Sequence, residues 1–221
     1  MKHDALLDKL SEFLMVEQCG WQLYRVVGSR ATNPELVERY RHFEQETSRH
    51  RSILIGLIET LGGDPDYVSP TARVAQAKCE ALLQSTLVAG PLSEDELQAS
   101  DLENVVLAET KDHADWELLG QLAERLPKGK TRSAIEAAVA EVGPQEDEHV
   151  QWAQAKLTEF DLQAVMTKSP PDPARLDRRV IEPELAIKAV HAAPMDRRNL
   201  LDAAKLPPAE PTPASRTAAS G

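Results

Sequence analysis

Four long stretches between Asp4 and Phe160 carry apolar side chains at steps of three and four residues, the period of an α-helix that buries one face. The first holds Leu7, Leu10, Leu14, Trp21 and Tyr24 and ends near Gly28. The second opens at Asn33-Pro34-Glu35, an N-cap followed by a proline at the first helical position. It continues through Leu36, Tyr40, Phe43, Ile53, Leu54, Leu57 and Leu61, and Gly62-Gly63-Asp64-Pro65 stops it. Ser93 and Glu96, spaced as a capping box, open a third stretch through Leu102, Val105, Trp116, Leu119 and Leu126. After a turn at Pro127-Lys128-Gly129, Ser133 and Glu136 are expected to cap a fourth, which carries Val139, Val150, Ala153, Leu157 and Phe160. Four apolar stripes must be buried against one another, so the fold class predicted is all-α, a four-helix bundle.

Connection lengths give the topology. Short loops make the first and second helices antiparallel, and likewise the third and fourth. Between the second and third lies a long connection, from Gly62 to Leu97, in which Val74 to Val88 is expected to form a short extra helix. A connection of that length spans the bundle and sets the second and third helices parallel.

Composition divides the chain. Nine of the 15 prolines lie from Pro170 onward, and residues 170–221 carry 7 acidic against 8 basic side chains. The total of 36 acidic and 25 basic residues leaves 29 against 17, a charge of −12, for the rest. We therefore expect a bundle over residues 1–165 and a Pro/Ala-rich extension over 166–221 that is partly disordered from Leu206, with short helices at Glu182–His191 and Arg197–Leu206. The acidity argues against nucleic acid and against an anionic membrane as partners. No apolar run reaches membrane-spanning length, and Met1 to Leu10 lacks the apolar stretch of a secretory signal. Cys19 and Cys79, with no C-x-x-C pair, fit a cytoplasmic protein with two reduced thiols rather than a disulfide framework or a cysteine metal site.

Polar residues interrupt the apolar seams at one height. Glu17 stands between Leu14 and Trp21. Glu46 and His50 fall between Phe43 and Ile53, Glu109 and Asp112 between Val105 and Trp116, and Glu146 and His149 between Val139 and Ala153. Taken singly, each is a weak signal, since a glutamate in a seam usually escapes to solvent. Taken together, four helices place carboxylates and imidazoles at mid-length. Carboxylates buried together repel one another, and two divalent cations reverse that sign. Oxygen donors with two imidazoles suit two iron or manganese ions, with zinc as a possible substitute. The metal ligands expected are Glu17, Glu46, His50, Glu109, Asp112, Glu146 and His149, with Glu109 or Glu146 as the bridge. Glu46 and His50 are expected to bind together, and Arg49 to turn toward a neighbour or solvent. His3, His42, His113 and His191 are read as lying outside this set. Pro144 is expected to kink the fourth helix before Glu146.

Three stretches carry a resemblance to the ferritin-like superfamily, in particular to rubrerythrin-like and bacterial stress-related ferritin-like domains. Tyr40 to His50, closing with Leu61-Gly62-Gly63-Asp64-Pro65, resembles their second helix. Glu109 and Asp112 followed by Trp116 is similar to the third, and Glu146-x-x-His149 followed by Trp152 to the fourth. This chain departs from the common pattern in the four-residue step from Glu46 to His50 and in Asp112, which stands where a glutamate is usual. The resemblance implies a non-haem dinuclear centre that reacts with O2 or peroxide, by ferroxidase, peroxidase or catalase-like chemistry. It also admits a homo-oligomer, and a non-catalytic interaction or stress protein with a vestigial metal site.

Overall fold

The computed structural model describes residues 3–88 and 92–167, which form five helices and, among the described residues, no strand. They are α1 (His3–Arg30), α2 (Pro34–Thr60), α3 (Pro70–Val88), α4 (Glu94–Arg125) and α5 (Lys130–Thr167). The two short helices expected near the C-terminus lie outside the described residues, as does the extension from residue 168 onward. No described helix is long and apolar enough to cross a membrane.

The local signals explain most helix boundaries. Asn33 Oδ1 accepts from the amides of Glu35 at 2.9 Å and Leu36 at 3.4 Å, and Pro34 fills the position that needs no donor. The Ser93–Glu96 capping box is formed, with Ser93 N donating to Glu96 Oε2 at 2.9 Å. Gly62 ends α2 with φ of 77°, a left-handed conformation that disfavours side chains. At Gly63 a Cβ would sit 2.6 Å from Leu7 Cδ2, so glycine lets the turn close on α1.

Three boundaries differ from expectation. The crossover helix starts at Pro70, one turn before Val74, because Ser69 Oγ accepts from the Ala72 amide at 3.1 Å as an N-cap. At Ser133 the amide already donates to Gly129 O at 3.0 Å, so Ser133 is inside α5 and caps nothing. The expected box is replaced by a side-chain pair on the helix surface, Arg132 Nε to Glu136 Oε1 at 2.7 Å. Beyond Phe160, α5 continues to Thr167, and it is helical on both sides of Pro144.

Packing sorts the core into two apolar clusters. One joins Leu6, Leu10 and Phe13 of α1 to Leu54, Leu57 and Ile58 of α2, Trp116 and Leu119 of α4, and Ile135 and Val142 of α5. The other joins Leu23, Tyr24 and Val27 to Leu36, Tyr40 and Phe43, Leu102 and Val105, and Ala153. The start of α1 therefore meets the ends of α2 and α4 and the start of α5. That makes α1 antiparallel to α2, α4 antiparallel to α5, and α2 parallel to α4, as the long connection requires. Within that connection α3 packs on α1 and α4. Ser69 ties its start to α1, donating from Oγ to Asp8 O at 3.0 Å and from N to Ser11 Oγ at 3.0 Å.

Candidate metal centre

Between the two apolar clusters lies one polar layer, and helix periodicity puts it there. On α2 the buried positions run Leu36, Tyr40, Phe43, Thr47, His50, Leu54 and Leu57 in alternating steps of four and three, with Ile58 beside the last. The same alternation on α4 runs Leu102, Val105, Glu109, Asp112, Trp116 and Leu119. On α1 it runs Leu6, Leu10, Phe13, Glu17, Gly20, Tyr24 and Val27, and on α5 Ile135, Ala138, Val142, Glu146, His149 and Ala153 follow it except for two successive steps of four that span Pro144. The middle layer thus receives Glu17 and Gly20, Thr47 and His50, Glu109 and Asp112, and Glu146 and His149. Each charged member is no more than 3% exposed.

Their donor atoms converge. One atom each from Glu17, His50 and Glu146 lies within 4.8 Å of the others, and the same holds for Glu109, Glu146 and His149. Glu146 belongs to both groups, which makes it the shared carboxylate. His50 Nδ1 is 2.9 Å from Glu146 Oε1 and 3.5 Å from Glu17 Oε1, ion-pair distances without hydrogen-bond alignment. His149 Nδ1 is 3.3 Å from Glu109 Oε2 and 3.7 Å from Glu146 Oε1. The two imidazoles stack with centroids 5.7 Å apart.

The outer atoms of four of these residues are held. Trp116 Nε1 donates to Glu17 Oε1 at 2.7 Å, and the Tyr24 hydroxyl donates to Glu109 Oε1 at 2.8 Å. His50 Nε2 is 2.8 Å from Gln145 Oε1, and His149 Nε2 is 3.0 Å from Glu46 Oε2. Such outer contacts fix ring orientation and leave Nδ1 turned inward. Inside, Glu17 Oε2, His50 Nδ1, Glu109 Oε2, Asp112 Oδ1, both Glu146 oxygens and His149 Nδ1 are buried without hydrogen-bond partners. Buried polar atoms are ordinarily satisfied, so seven unpartnered atoms in one layer make it a candidate cation site.

Electrostatics agrees. Burial, then the charges of Glu17, Glu146 and Glu109, hold Asp112 well above the usual carboxylate range. Burial pushes Glu146 up to about 7, with Glu109 and Glu17 adding to the rise and His50 opposing it. At His50 burial disfavours charge, but Glu146 and Glu17 outweigh it and raise the imidazole to about 11. Glu109 and Glu46 do the same at His149, to about 9.

Five of the seven expected ligands, Glu17, His50, Glu109, Glu146 and His149, bring donor atoms together, and Asp112 is buried in the same layer but belongs to neither group. Glu46 lies at the layer's edge, 16% exposed, with its contact made to the outer nitrogen of His149. Its neighbour Thr47, 2% exposed, takes the inward place three residues before His50. A Cβ on Gly20 would lie 3.6 Å from Thr47 Cγ2 and 3.9 Å from Asp112 Oδ2, so these three meet on one side of the layer. Arg49 points away, pairing with Glu141 at 3.0 Å. Gln145, Trp116 and Tyr24 act from outside the donor set, and only the strict alternation of steps distinguishes Thr47 from Glu46 in the sequence. His42 is about half-exposed and 3.3 Å from Glu46, outside the centre. His50→Ala is accordingly expected to lose at least about tenfold in metal affinity, and His42→Ala little. Titration of both variants with Mn(II) or Fe(II) measures the difference.

Comparison with solved structures gives a likeness to the E. coli stress protein YciF, at a TM-score of 0.59 and 17% sequence identity, covering 76% of this chain and 100% of that one. The likeness is one of fold. With the five helices and their order, it places the described residues in an all-α, ferritin-like bundle. No family model matches the chain, and no curated protein matches it.

Proposed function

We propose that this chain is a dinuclear metal–carboxylate protein that holds two iron or manganese ions, zinc being an alternative occupant, and reacts with O2 or peroxide in cytoplasmic oxidative-stress or iron handling. The observation that carries this reading is the convergence of buried donor atoms from Glu17, His50, Glu109, Glu146 and His149, with unpartnered atoms on each and on Asp112 in the same layer. Glu17 and His50 would hold one ion, Glu109 and His149 the other, and Glu146 both. Asp112 adds an oxygen on the side where Thr47 offers none. Bound there, the ions supply redox and Lewis-acid chemistry toward oxygen species. The chain's own part is positioning. Trp116 and Tyr24 hold the outer oxygens of Glu17 and Glu109, so that each presents its second oxygen inward. Phe43, with its ring 4.0 Å from that of His149, helps wall the centre from water.

Metal analysis of protein loaded with iron or manganese tests this. About two ions per chain are expected, by analogy with dinuclear bundles of this ligand type, with an optical spectrum that changes on adding peroxide. No metal above background overturns the reading.

A second reading has one observation in its favour. Thr47 occupies the inward position on α2, so that helix contributes only an imidazole. A site one carboxylate short suits a non-catalytic ferritin-like stress or interaction protein that binds metal weakly. Metal bound without consumption of O2 or peroxide selects it.

A further inference from the structure

Away from the carboxylate layer, α1 and α3 bring both cysteines of the chain together. Cys19 lies on α1 and is partly exposed, while Cys79 lies on α3 and is buried at its surface. Both are free, and each is the group that acts most strongly on the other's thiol. Both also line one groove of about 590 Å³, together with Val16, Val74, Leu82 and Leu107. A disulfide needs sulfurs about 2.05 Å apart and Cα atoms within about 7 Å. Thiols that line one groove on two helices packed together reach that geometry by side-chain rotation.

We propose that Cys19 and Cys79 are a redox-active dithiol that reduces hydrogen peroxide and closes to an intramolecular disulfide joining α1 to α3. In the first step the Cys79 sulfur, as thiolate, attacks one peroxide oxygen. An S–O bond forms, the O–O bond breaks, and the departing hydroxide takes up the thiol proton as water. In the second step the Cys19 sulfur attacks the Cys79 sulfenic acid. An S–S bond forms, the S–O bond breaks, and hydroxide leaves with the Cys19 proton as a second water. The two sulfurs together lose two electrons, and the two peroxide oxygens gain them. An external thiol returns the pair to the dithiol by exchange, becoming a disulfide itself.

The surroundings suit each step. The Cys19 thiol holds the Cys79 thiol below its usual value, against burial and the Glu80 charge. A resolving thiol in contact traps the sulfenic acid before further oxidation.

The test uses the full chain, reduced and then stripped of metal by a chelator, with hydrogen peroxide as the probe. Both thiols should disappear together, the intact mass should fall by the two lost hydrogens, and a peptide map should show Cys19 joined to Cys79 within one chain. Cys19→Ser should instead retain an oxygen adduct at Cys79 that a sulfenic-acid reagent captures, and Cys79→Ser should give neither product. Stepwise oxygen addition to the wild-type chain without a cross-link overturns the proposal. So do disulfides between chains, or thiols that survive a large excess of peroxide. Metal is absent throughout, so failure here leaves the dinuclear reading untouched, and failure of metal loading leaves the dithiol untouched.

Discussion

Glu146→Gln is expected to change metal binding and metal-free stability in opposite directions. Glu146 is common to both groups of donor atoms, and neither of its oxygens has a hydrogen-bond partner. Its loss should lower metal affinity by well over the roughly tenfold seen when a merely supporting group is removed. Without metal the same carboxylate is a burden. Burial and the charges of Glu109 and Glu17 raise its pKa to about 7, so at pH 8 the fold holds an ionised group that prefers water. Glutamine keeps the shape and removes the charge. The ion pair with His50 at 2.9 Å is lost, but Glu17 remains 3.5 Å from the same nitrogen. A gain of about 1 kcal/mol would raise the melting temperature by roughly 2–4 °C for a chain of this size. Melting in chelator at pH 8, beside elemental analysis after loading, measures both effects. A variant that still takes up the wild-type complement of metal, or melts lower than wild type in chelator, contradicts the assignment of Glu146.

The metal-free protein should also lose stability steadily from about pH 5 to about pH 9, and the loaded protein should not. Glu146 in the fold titrates at about 7 against an ordinary 4.5. Between those values the folded chain keeps a proton that the unfolded chain has released. Its contribution is therefore complete below the lower value and gone above the higher. His50 at about 11 and His149 at about 9 act in the same direction, with contributions complete below 6.5 and lost as pH rises through the folded values. Asp112, also raised, adds to the slope. Glu46 is lowered, so its contribution is present at neutral pH and lost in acid, which confines its opposite slope to the acid side. A shift of one unit is worth about 1.4 kcal/mol. Even with much of this shared among interacting groups, the melting temperature should drop by at least about 5 °C between pH 6 and pH 9. Metal displaces these protons, so loading should release acid and affinity should rise with pH. Thermal melts across pH, with and without chelator, measure the slope, and a metal-free melting temperature that rises toward pH 9 contradicts it.

The bundle and its centre were legible to different depths. Apolar spacing and the Asn33-Pro34 and Ser93–Glu96 signals lead directly to α2 and α4, because capping chemistry is local. Ser133 has the spacing of a cap but lies within a helix already begun at Lys130, a choice that competing local signals leave open. At the centre, Glu17, His50, Glu109, Asp112, Glu146 and His149 were identifiable as polar residues in phase with the apolar stripe. Glu46 shares a helical face with His50 and so reads as a ligand with them, whereas the buried phase falls on Thr47, since a step of one residue turns a helical side chain by about 100°. The contacts of Gln145 with His50 and of Cys19 with Cys79 depend on how separate helices dock, and helix docking leaves no local pattern to read.

The two apolar clusters have a consequence for how this chain reaches its native state. Each cluster draws on both hairpins, α1 with α2 and α4 with α5, and each hairpin gives one end to each cluster. Neither hairpin therefore owns a core. Closing the first leaves half of two unfinished interiors, and the contacts that complete them join residues about a hundred positions apart, such as Glu17 and Trp116. Assembly must wait for the crossover to bring the second hairpin alongside, which places most of the stabilisation late and makes the four bundle helices a single cooperative unit.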